Sequence, residues 1–274
     1  MNAKELILTH ILKCSRADLY INPVVLSESQ EKLFNEINKR LDAGEPLQYI
    51  LGECEFYGLT FKVDQNVLIP RPETELLVEK IIEQIDKDRN FKSEIFGLDI
   101  GTGSGNISIA LVKSITQLQM CALDVSQAAL KVAQENARSN GVSDRVEFIC
   151  DDVFSWLNDG ATNSDRFEFV VSNPPYINHQ NLTTLPVNVQ REPVLALDGG
   201  VDGLSFYRHI VASVKHVLKP GGWLFLEIGE DQGKSLYNLL TAGGSFVNIH
   251  IVKDYNQRDR IVKAQLNPSI NRLN

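Results

Sequence analysis

With 274 residues, the chain is long enough for one full α/β domain and a smaller unit beside it. A formal net charge of −8 is unfavourable for a protein that grips nucleic acid through phosphates, and it favours a protein substrate. The N-terminus has no long apolar stretch, so we expect neither a secretory signal nor a membrane span. Four scattered cysteines without a Cys-x-x-Cys or Cys-His cluster are interpreted as buried thiols in a reducing cytosol, with no metal site.

Helical patterns and then a hairpin pattern occupy the first part of the chain. Ser27 is placed to cap a helix whose apolar stripe ends before Gly44. Alternation from Glu55 to Val63 predicts a β-hairpin, and Pro72 with acidic residues after it predicts the start of another helix. The sequence therefore predicts a helical domain over residues 1–54, a β-hairpin linker over 55–70 and a larger domain over 71–274.

In the larger domain, apolar runs alternate with helical segments and occur at residues 95–99, 120–123, 146–150, 167–172 and 222–228. This alternation predicts a parallel sheet that is covered by helices on both faces. Two more strands are predicted near 246–252 and 259–265, and the short polar link between them requires an antiparallel pair.

A glycine-rich turn follows the first of these strands, with the sequence Gly101-Thr102-Gly103-Ser104-Gly105. Such a turn lets a ligand approach bare backbone, but its spacing differs from dinucleotide and phosphate-loop patterns, so a pyrophosphate ligand is less favoured. Asp124 ends the second strand, where its carboxylate can accept hydrogen bonds from both ribose hydroxyls. Capping the next helix is an equally good interpretation of Asp124.

Carboxylates also follow the third strand. Either Asp151 or Asp152 can accept a hydrogen bond from an adenine amino group, with Val153 against the ring. The alternative is that these residues cap a short helix that runs to Trp156. Glycines, a ribose acceptor and an adenine acceptor at three successive strand ends together predict a nucleoside pocket.

The fourth strand ends at Asn173-Pro174-Pro175-Tyr176. Because prolines cannot donate backbone hydrogen bonds, we expect the carbonyl groups of Asn173 and Pro174 to be unpaired. With the Asn173 side chain they form an acceptor-rich corner, into which a planar NH2 group can donate both hydrogens while Tyr176 covers its face. The alternative is a proline-rich turn that only ends a strand.

The long segment over residues 177–203 has no clear periodicity. Segments of this length within a domain are usually functional, so we expect it to form the wall of the substrate entrance. A simple surface insertion is the alternative.

These residues resemble the class I S-adenosylmethionine-dependent methyltransferases with an Asn-Pro-Pro-Tyr motif, and more narrowly the peptide chain release factor glutamine methyltransferases. The resemblance covers nearly the whole chain, and its other matching stretches are Pro46–Ile50, Gly52, Phe56–Gly58, Leu68–Glu75, Glu192-Pro193, Leu195–Leu197, Gly199-Gly200 and Asp202–Leu204. The tetrapeptide also occurs in DNA and some RNA methyltransferases, whereas the Pro70–Glu75 element is typical of the glutamine enzymes. One departure is Arg191, where family members usually carry an aromatic residue.

The resemblance implies a Rossmann-like methyltransferase domain with a mostly parallel seven-stranded sheet and an antiparallel edge pair. It implies transfer of a methyl group from S-adenosyl-L-methionine to the side-chain amide of the glutamine in the Gly-Gly-Gln motif of class I release factors. We expect a cytoplasmic monomer whose helical domain recognises the release factor and which does not bind nucleic acid directly. The alternatives are a DNA or RNA amino-methyltransferase and a nucleoside-binding scaffold without catalysis.

The residues and the resemblance together predict three sets of site residues. The cofactor-binding set is Gly101, Thr102, Gly103, Ser104, Gly105, Asp124, Asp152, Val153 and Asn173. The substrate-binding set is Asn173, Pro174, Pro175 and Tyr176, and the catalytic set is Asn173, Pro174 and Tyr176.

Overall fold

A computed structural model describes residues 2–21, 24–87, 94–158 and 166–270. Its first helices are α1 (Ala3–Leu12), α2 (Asp18–Ile21), α3 (Glu28–Asp42) and α4 (Leu47–Leu51). The predicted cap is confirmed, because Ser27 and Gln30 form a reciprocal capping box at the start of α3. Ile7, Ile37 and Leu47 form a small buried core of these helices.

The predicted hairpin is confirmed, and its strands are β1 (Glu53–Phe56) and β2 (Leu59–Lys62). It begins at Glu53 rather than at Glu55. Tyr57 and Gly58 form its turn with φ values of 51° and 70°, as two-residue hairpin turns require.

The larger sheet contains β3 (Ile95–Ile100), β4 (Leu118–Asp124), β5 (Val146–Cys150), β6 (Phe167–Ser172), β7 (Leu218–Glu227), β8 (Phe246–Lys253) and β9 (Asp259–Leu266). Its strand order is β5-β4-β3-β6-β7-β9-β8. The neighbours from β5 to β7 pair in parallel, and β9 pairs antiparallel with both β7 and β8. The predicted parallel sheet and its antiparallel edge are therefore confirmed.

Helices cover both faces of this sheet. They are α5 (Pro72–Lys87), α6 (Asn106–Ser114), α7 (Gln127–Ser139), α8 (Val153–Trp156), α9 (Ser205–Ser213) and α10 (Gly233–Ala242). Successive strand residues point to opposite faces, so Phe169 belongs to one core together with Ile81, and Val170 belongs to the other together with Tyr207. The fold is a doubly wound α/β sheet.

The cysteine interpretation is partly wrong. Cys121, on the inner strand β4, is buried, whereas Cys150 is exposed because it is the last residue of the edge strand β5. No helix in the described ranges is long and apolar enough to cross a membrane.

Candidate active site at the carboxyl edge of the sheet

Strand register brings the predicted site segments to one edge of the sheet. Ile100 of β3 pairs with Leu123 of β4 and with Ser172 of β6. The residues that follow Ile100 and Ser172, which are Gly101 and Asn173, therefore lie on neighbouring strand ends. Neighbouring strands are about 4.8 Å apart, so three spacings from β5 to β6 span about 14 Å. A nucleoside with an amino-acid tail can lie across an edge of this length.

The glycine turn exposes its backbone at two of its three glycines. Gly101 and Gly103 have φ values of 72° and 55°, and no described atom lies within 4 Å of where a Cβ would stand. Gly105 differs, because a Cβ there would lie 3.0 Å from Cδ1 of Ile109 and 3.1 Å from Cβ of Ala133. Gly101 and Gly103 are thus open to a ligand, and Gly105 permits close helix packing.

The two remaining turn residues point into the protein. The Thr102 hydroxyl donates to Oδ2 of Asp99 at 2.7 Å, and the Ser108 hydroxyl donates to the same atom at 2.8 Å. Ser104 is 1% exposed. The side chains of Thr102 and Ser104 therefore shape the turn, and a ligand can reach these residues mainly through their backbone.

Asp99 and Asn136 hold the turn, and the sequence reasoning missed both. Asp99 is fully buried, and burial raises its pKa to about 6. Asn136 donates to the carbonyl oxygens of Ser104 at 2.9 Å and Lys62 at 3.0 Å. A carboxylate within the apolar run of β3 was an available signal for Asp99, whereas nothing near Asn136 in sequence points to its partners.

Asp124 ties the end of β4 to the glycine turn. Its Oδ2 accepts from the Gly103 N–H at 2.8 Å, and its Oδ1 accepts from the Ser126 N–H at 2.9 Å. Ser126, rather than Asp124, is the N-cap of α7, so the capping alternative is wrong for Asp124. Burial raises the pKa of Asp124. Each carboxylate oxygen has further lone pairs, so the predicted acceptance from ribose hydroxyls is compatible with these bonds.

The two carboxylates after β5 are exposed and make short-range hydrogen bonds. Asp152 is the N-cap of α8, because its Oδ1 accepts from the Phe154 N–H at 2.8 Å. Asp151 accepts from the Asp152 N–H at 2.7 Å. Val153 is buried in the first turn of α8. The capping alternative thus holds for Asp152, and its contact with adenine stays a prediction.

The Asn173 corner has the unpaired acceptors that the prolines predict. Among the described residues, no hydrogen bond ends on the carbonyl oxygen of Asn173 or Pro174, or on Oδ1 of Asn173. The Asn173 amide donates from Nδ2 to Oγ1 of Thr74 at 3.4 Å. Three oxygens with free lone pairs therefore occur within two consecutive residues.

Tyr176 and Pro175 complete the corner. Tyr176 packs against the core on the α9 face, and burial raises its pKa to about 12. Both Tyr176 and Pro175 are only partly exposed. A cavity of about 50 Å³ is lined by Asn173, Tyr176, Arg71 and Leu197, among others. Asn173 and Tyr176 are therefore reached through a narrow space beside the loop that follows them, whereas Pro174 between them is buried.

The loop over residues 177–203 is more structured than its sequence indicates. It contains 3-10 turns at His179–Thr184, Val189–Arg191 and Val194–Ala196. Ile177 donates to the Leu197 carbonyl at 3.0 Å and accepts from Gly199 at 2.8 Å, which closes the loop on itself. Turns of three to six residues are too short to show a periodic pattern. Its role as the wall of the substrate entrance stays a prediction.

Two adjacent residues anchor this loop. The buried carboxylate of Glu192 pairs with Arg71 and accepts from the Ile69 N–H at 3.1 Å. Arg191 donates from Nη2 to the carbonyl of Ala43, the C-cap of α3, at 2.7 Å. The residue that departs from the family pattern thus connects the loop to the N-terminal helices.

The chain has a doubly wound sheet with an open glycine turn at one strand end, a carboxylate at the next and Asn-Pro-Pro-Tyr at a neighbouring one. Together these features define a class I S-adenosylmethionine-dependent methyltransferase. A solved structure shares the fold: the N-terminal domain of human METTL16 in complex with SAH, with a TM-score of 0.56 and 20% identity. The match covers 85% of this chain and 84% of that one.

Sequence comparisons specify the family. The family models described as "Methyltransferase small domain" and "PrmC N-terminal domain" match residues 72–190 and 2–52. The release factor glutamine methyltransferase of Thermodesulfovibrio yellowstonii is 38% identical over 266 residues, covering 96% of this chain and 92% of the relative. That of Moorella thermoacetica is 41% identical over 249 residues, covering 88% and 85%. The chain belongs to the release factor glutamine methyltransferase family.

Proposed function

We propose that this chain transfers a methyl group from S-adenosyl-L-methionine to the side-chain amide nitrogen of the glutamine in the Gly-Gly-Gln motif of class I release factors. One observation carries the chemistry: Oδ1 of Asn173 and the carbonyl oxygens of Asn173 and Pro174 accept no hydrogen bond from the described residues. A primary amide has two hydrogens to donate, and this corner offers it acceptors without donors.

The neighbouring strand ends fit the cofactor. Gly101 and Gly103 leave open space beside their backbone, and Asp124 lies at the next strand end. We assign the ribose hydroxyls to Asp124, and the adenine to Asp152 and Val153. When bound, S-adenosyl-L-methionine supplies a methyl group that its sulfonium makes electrophilic.

The protein's main task is to orient a weak nucleophile, because the amide lone pair is delocalised into its carbonyl. In this proposal, Oδ1 of Asn173 and the carbonyl of Pro174 each accept one hydrogen of the substrate NH2 group. These bonds aim the nitrogen and favour its pyramidalisation, which stabilises mainly the transition state. Alignment of this kind contributes several kcal/mol, up to about 7–11 at its limit.

The corner contains no strong base. Tyr176, whose pKa is raised to about 12, is protonated at neutral pH, so its proposed role is to cover the flat face of the amide. The substrate nitrogen becomes acidic once it carries the new bond. Its proton then passes to water or to a carbonyl oxygen.

Recognition of the release factor is assigned to parts outside the corner. We retain the division into a recognition domain over residues 1–54, a linker over 55–70 and a methyltransferase domain over 71–274. The bond between Arg191 and Ala43 supports a joint surface of the helices and the loop. The proposal includes a cytoplasmic monomer that does not bind nucleic acid directly, which accords with the net charge of −8.

Mass spectrometry of a purified class I release factor after incubation with the protein and cofactor tests this function. We expect one added methyl group on the glutamine, and none when that glutamine is replaced by glutamate, which lacks both donors. A short Gly-Gly-Gln peptide should be a weak substrate, because it lacks the distant contacts. Methylation of duplex DNA at a comparable rate would favour the nucleic-acid alternative, and no transfer to any acceptor would favour the scaffold.

A further inference from the structure

Behind the substrate corner, two buried side chains extend the hydrogen bonding of Asn173. Nδ2 of Asn173 donates to Oγ1 of Thr74 at 3.4 Å, and Oγ1 of Thr74 donates to Oε2 of Glu227 at 2.7 Å. Thr74 is 2% exposed and Glu227 is 1% exposed. The three residues come from the end of β6, the first turn of α5 and the end of β7.

The direction of these two hydrogen bonds follows from the hydrogens available. An ionised carboxylate can only accept hydrogen bonds, and a threonine hydroxyl has a single hydrogen, so Thr74 must donate that hydrogen to Glu227. Its oxygen then offers Asn173 only a lone pair. The Nδ2 group of Asn173 can donate to that lone pair, whereas Oδ1, which is itself an acceptor, cannot bond to it.

We propose that Thr74 and Glu227 are positioning residues, which fix the Asn173 amide with its oxygen free to accept from the substrate. The inference rests on the proposed function for its catalytic consequence. A reversed amide would present a donor to the substrate NH2 group, and two donors facing each other cannot bond. Orientation of Asn173 is therefore as necessary for the reaction as its presence.

The protonation state of Glu227 controls this direction. Burial raises its pKa to about 7, and the charged groups acting on it are Arg260 of β9, Arg71 before α5 and Glu73 of α5. The hydroxyls of Tyr176 and Tyr207 also interact with it electrostatically. A protonated Glu227 can donate to Thr74, which frees the Thr74 hydrogen for the Asn173 oxygen. Acid should therefore release the amide from its productive orientation.

Methyl transfer to the release factor tests the catalytic role in three variants. Thr74→Val keeps the shape but removes the hydroxyl, and we expect kcat to fall by about 10-fold to 100-fold. Thr74→Ser restores the hydroxyl and should restore most of kcat. Glu227→Gln can both accept and donate, so kcat should fall and its decline through pH 7 towards acid should disappear. The dissociation constant of S-adenosylhomocysteine should change less than about 2-fold in all three.

The matched control is Ser213→Ala, which removes another buried hydroxyl bond, from Ser213 to Asn158 at 3.0 Å. This variant should keep the wild-type kcat and pH profile. The inference is overturned if Thr74→Val turns over like wild type, if Thr74→Ser fails to recover, or if Ser213→Ala loses as much activity. A wild-type protein that leaves the release factor unmethylated would instead refute the proposed function.

A second measurement does not depend on activity. The side-chain NH2 resonances of Asn173, assigned by their loss in Asn173→Ala, should shift with a midpoint near pH 7 in the free wild-type protein. The shift should disappear in Glu227→Gln and in Thr74→Val. If the Asn173 NH2 chemical shifts of the wild type do not change with pH, the inference is overturned, whatever the substrate is.

Discussion

Alanine substitutions in the glycine turn should separate cofactor binding from folding. Gly101, Gly103 and Gly105 have φ values of 72°, 55° and 79°, so each substitution forces an L-residue into the left-handed region, at about 1–2 kcal/mol. At Gly105 the new Cβ also meets Cδ1 of Ile109 at 3.0 Å and Cβ of Ala133 at 3.1 Å. This overpacking adds about 1–3 kcal/mol to the loss of unfolding free energy.

For cofactor affinity the order of the variants should be reversed: Gly103→Ala should lose more affinity than Gly105→Ala, although it loses less stability. Gly103→Ala places its Cβ in the open space beside the bare backbone, where we expect the cofactor to lie. Its affinity for S-adenosylhomocysteine should fall at least about 10-fold, which is about 1.4 kcal/mol. Gly105→Ala directs its Cβ into the helix packing, so the folded variant should lose less than about 3-fold in affinity while it loses more stability.

Gly141, just after α7, provides the matched control. Its φ is 67° and no described atom lies within 4 Å of a Cβ there, so Gly141→Ala measures the backbone cost alone. Urea denaturation without cofactor gives the unfolding free energy, and titration calorimetry gives the affinity. The assignment of the cofactor to this turn is refuted if Gly103→Ala binds like wild type, or if Gly141→Ala weakens binding equally.

Three further predictions concern the carboxylates and the corner. Asp124→Asn should weaken S-adenosylmethionine binding by about 1–3 kcal/mol in calorimetry, since a charge-assisted bond to the ribose is lost; unchanged affinity with an intact fold would mean that another group holds the ribose. Asn173→Ala should lower the methylation rate by about 100-fold with little change in unfolding free energy, and Tyr176→Ala less severely; near-normal turnover would contradict the orienting role. Glu227 has a pKa raised from 4.5 to about 7, so its contribution to stability is full below 4.5 and is lost as pH rises through 7. The unfolding free energy of the wild type should therefore fall by about 3 kcal/mol between pH 4.5 and pH 7, and that of Glu227→Gln should not. Urea denaturation at a series of pH values measures both, and equal declines in the two proteins would contradict the raised pKa of Glu227.

Local signals explain why the strands and their ends were predictable. The apolar run of β3 is followed directly by Gly101, whose φ of 72° lies outside the β region, and that of β6 by Asn173-Pro174, where the proline cannot donate to the ladder. The boundaries were less accurate where polar residues lie within a strand. Gln119 hid the true start of β4, and Pro220 with its following glycines gave the first residues of β7 the composition of a turn.

The cap of α7 could not be assigned from sequence, unlike that of α3, because two suitable residues lie close together. Asp124 and Ser126 both precede α7, and both are good N-cap residues. The choice depends on which backbone N–H each side chain faces. In the folded chain, Asp124 accepts a hydrogen bond from the Gly103 N–H, which is distant in sequence, and Ser126 caps α7 by accepting from the Ala129 N–H.

The Pro70–Glu75 element shows why a motif can be recognised in sequence while its physical role stays hidden. Arg71 pairs with Glu192 of the loop, Thr74 bonds to both Asn173 and Glu227, and Glu75 accepts from the Tyr57 N–H of the hairpin at 2.8 Å. These partners are distributed along most of the chain, so no local pattern relates them. Arg71 and the first turn of α5 therefore connect the loop, the hairpin and the Asn173 corner. A substitution of the buried Thr74 can disturb methyl transfer without contacting either substrate.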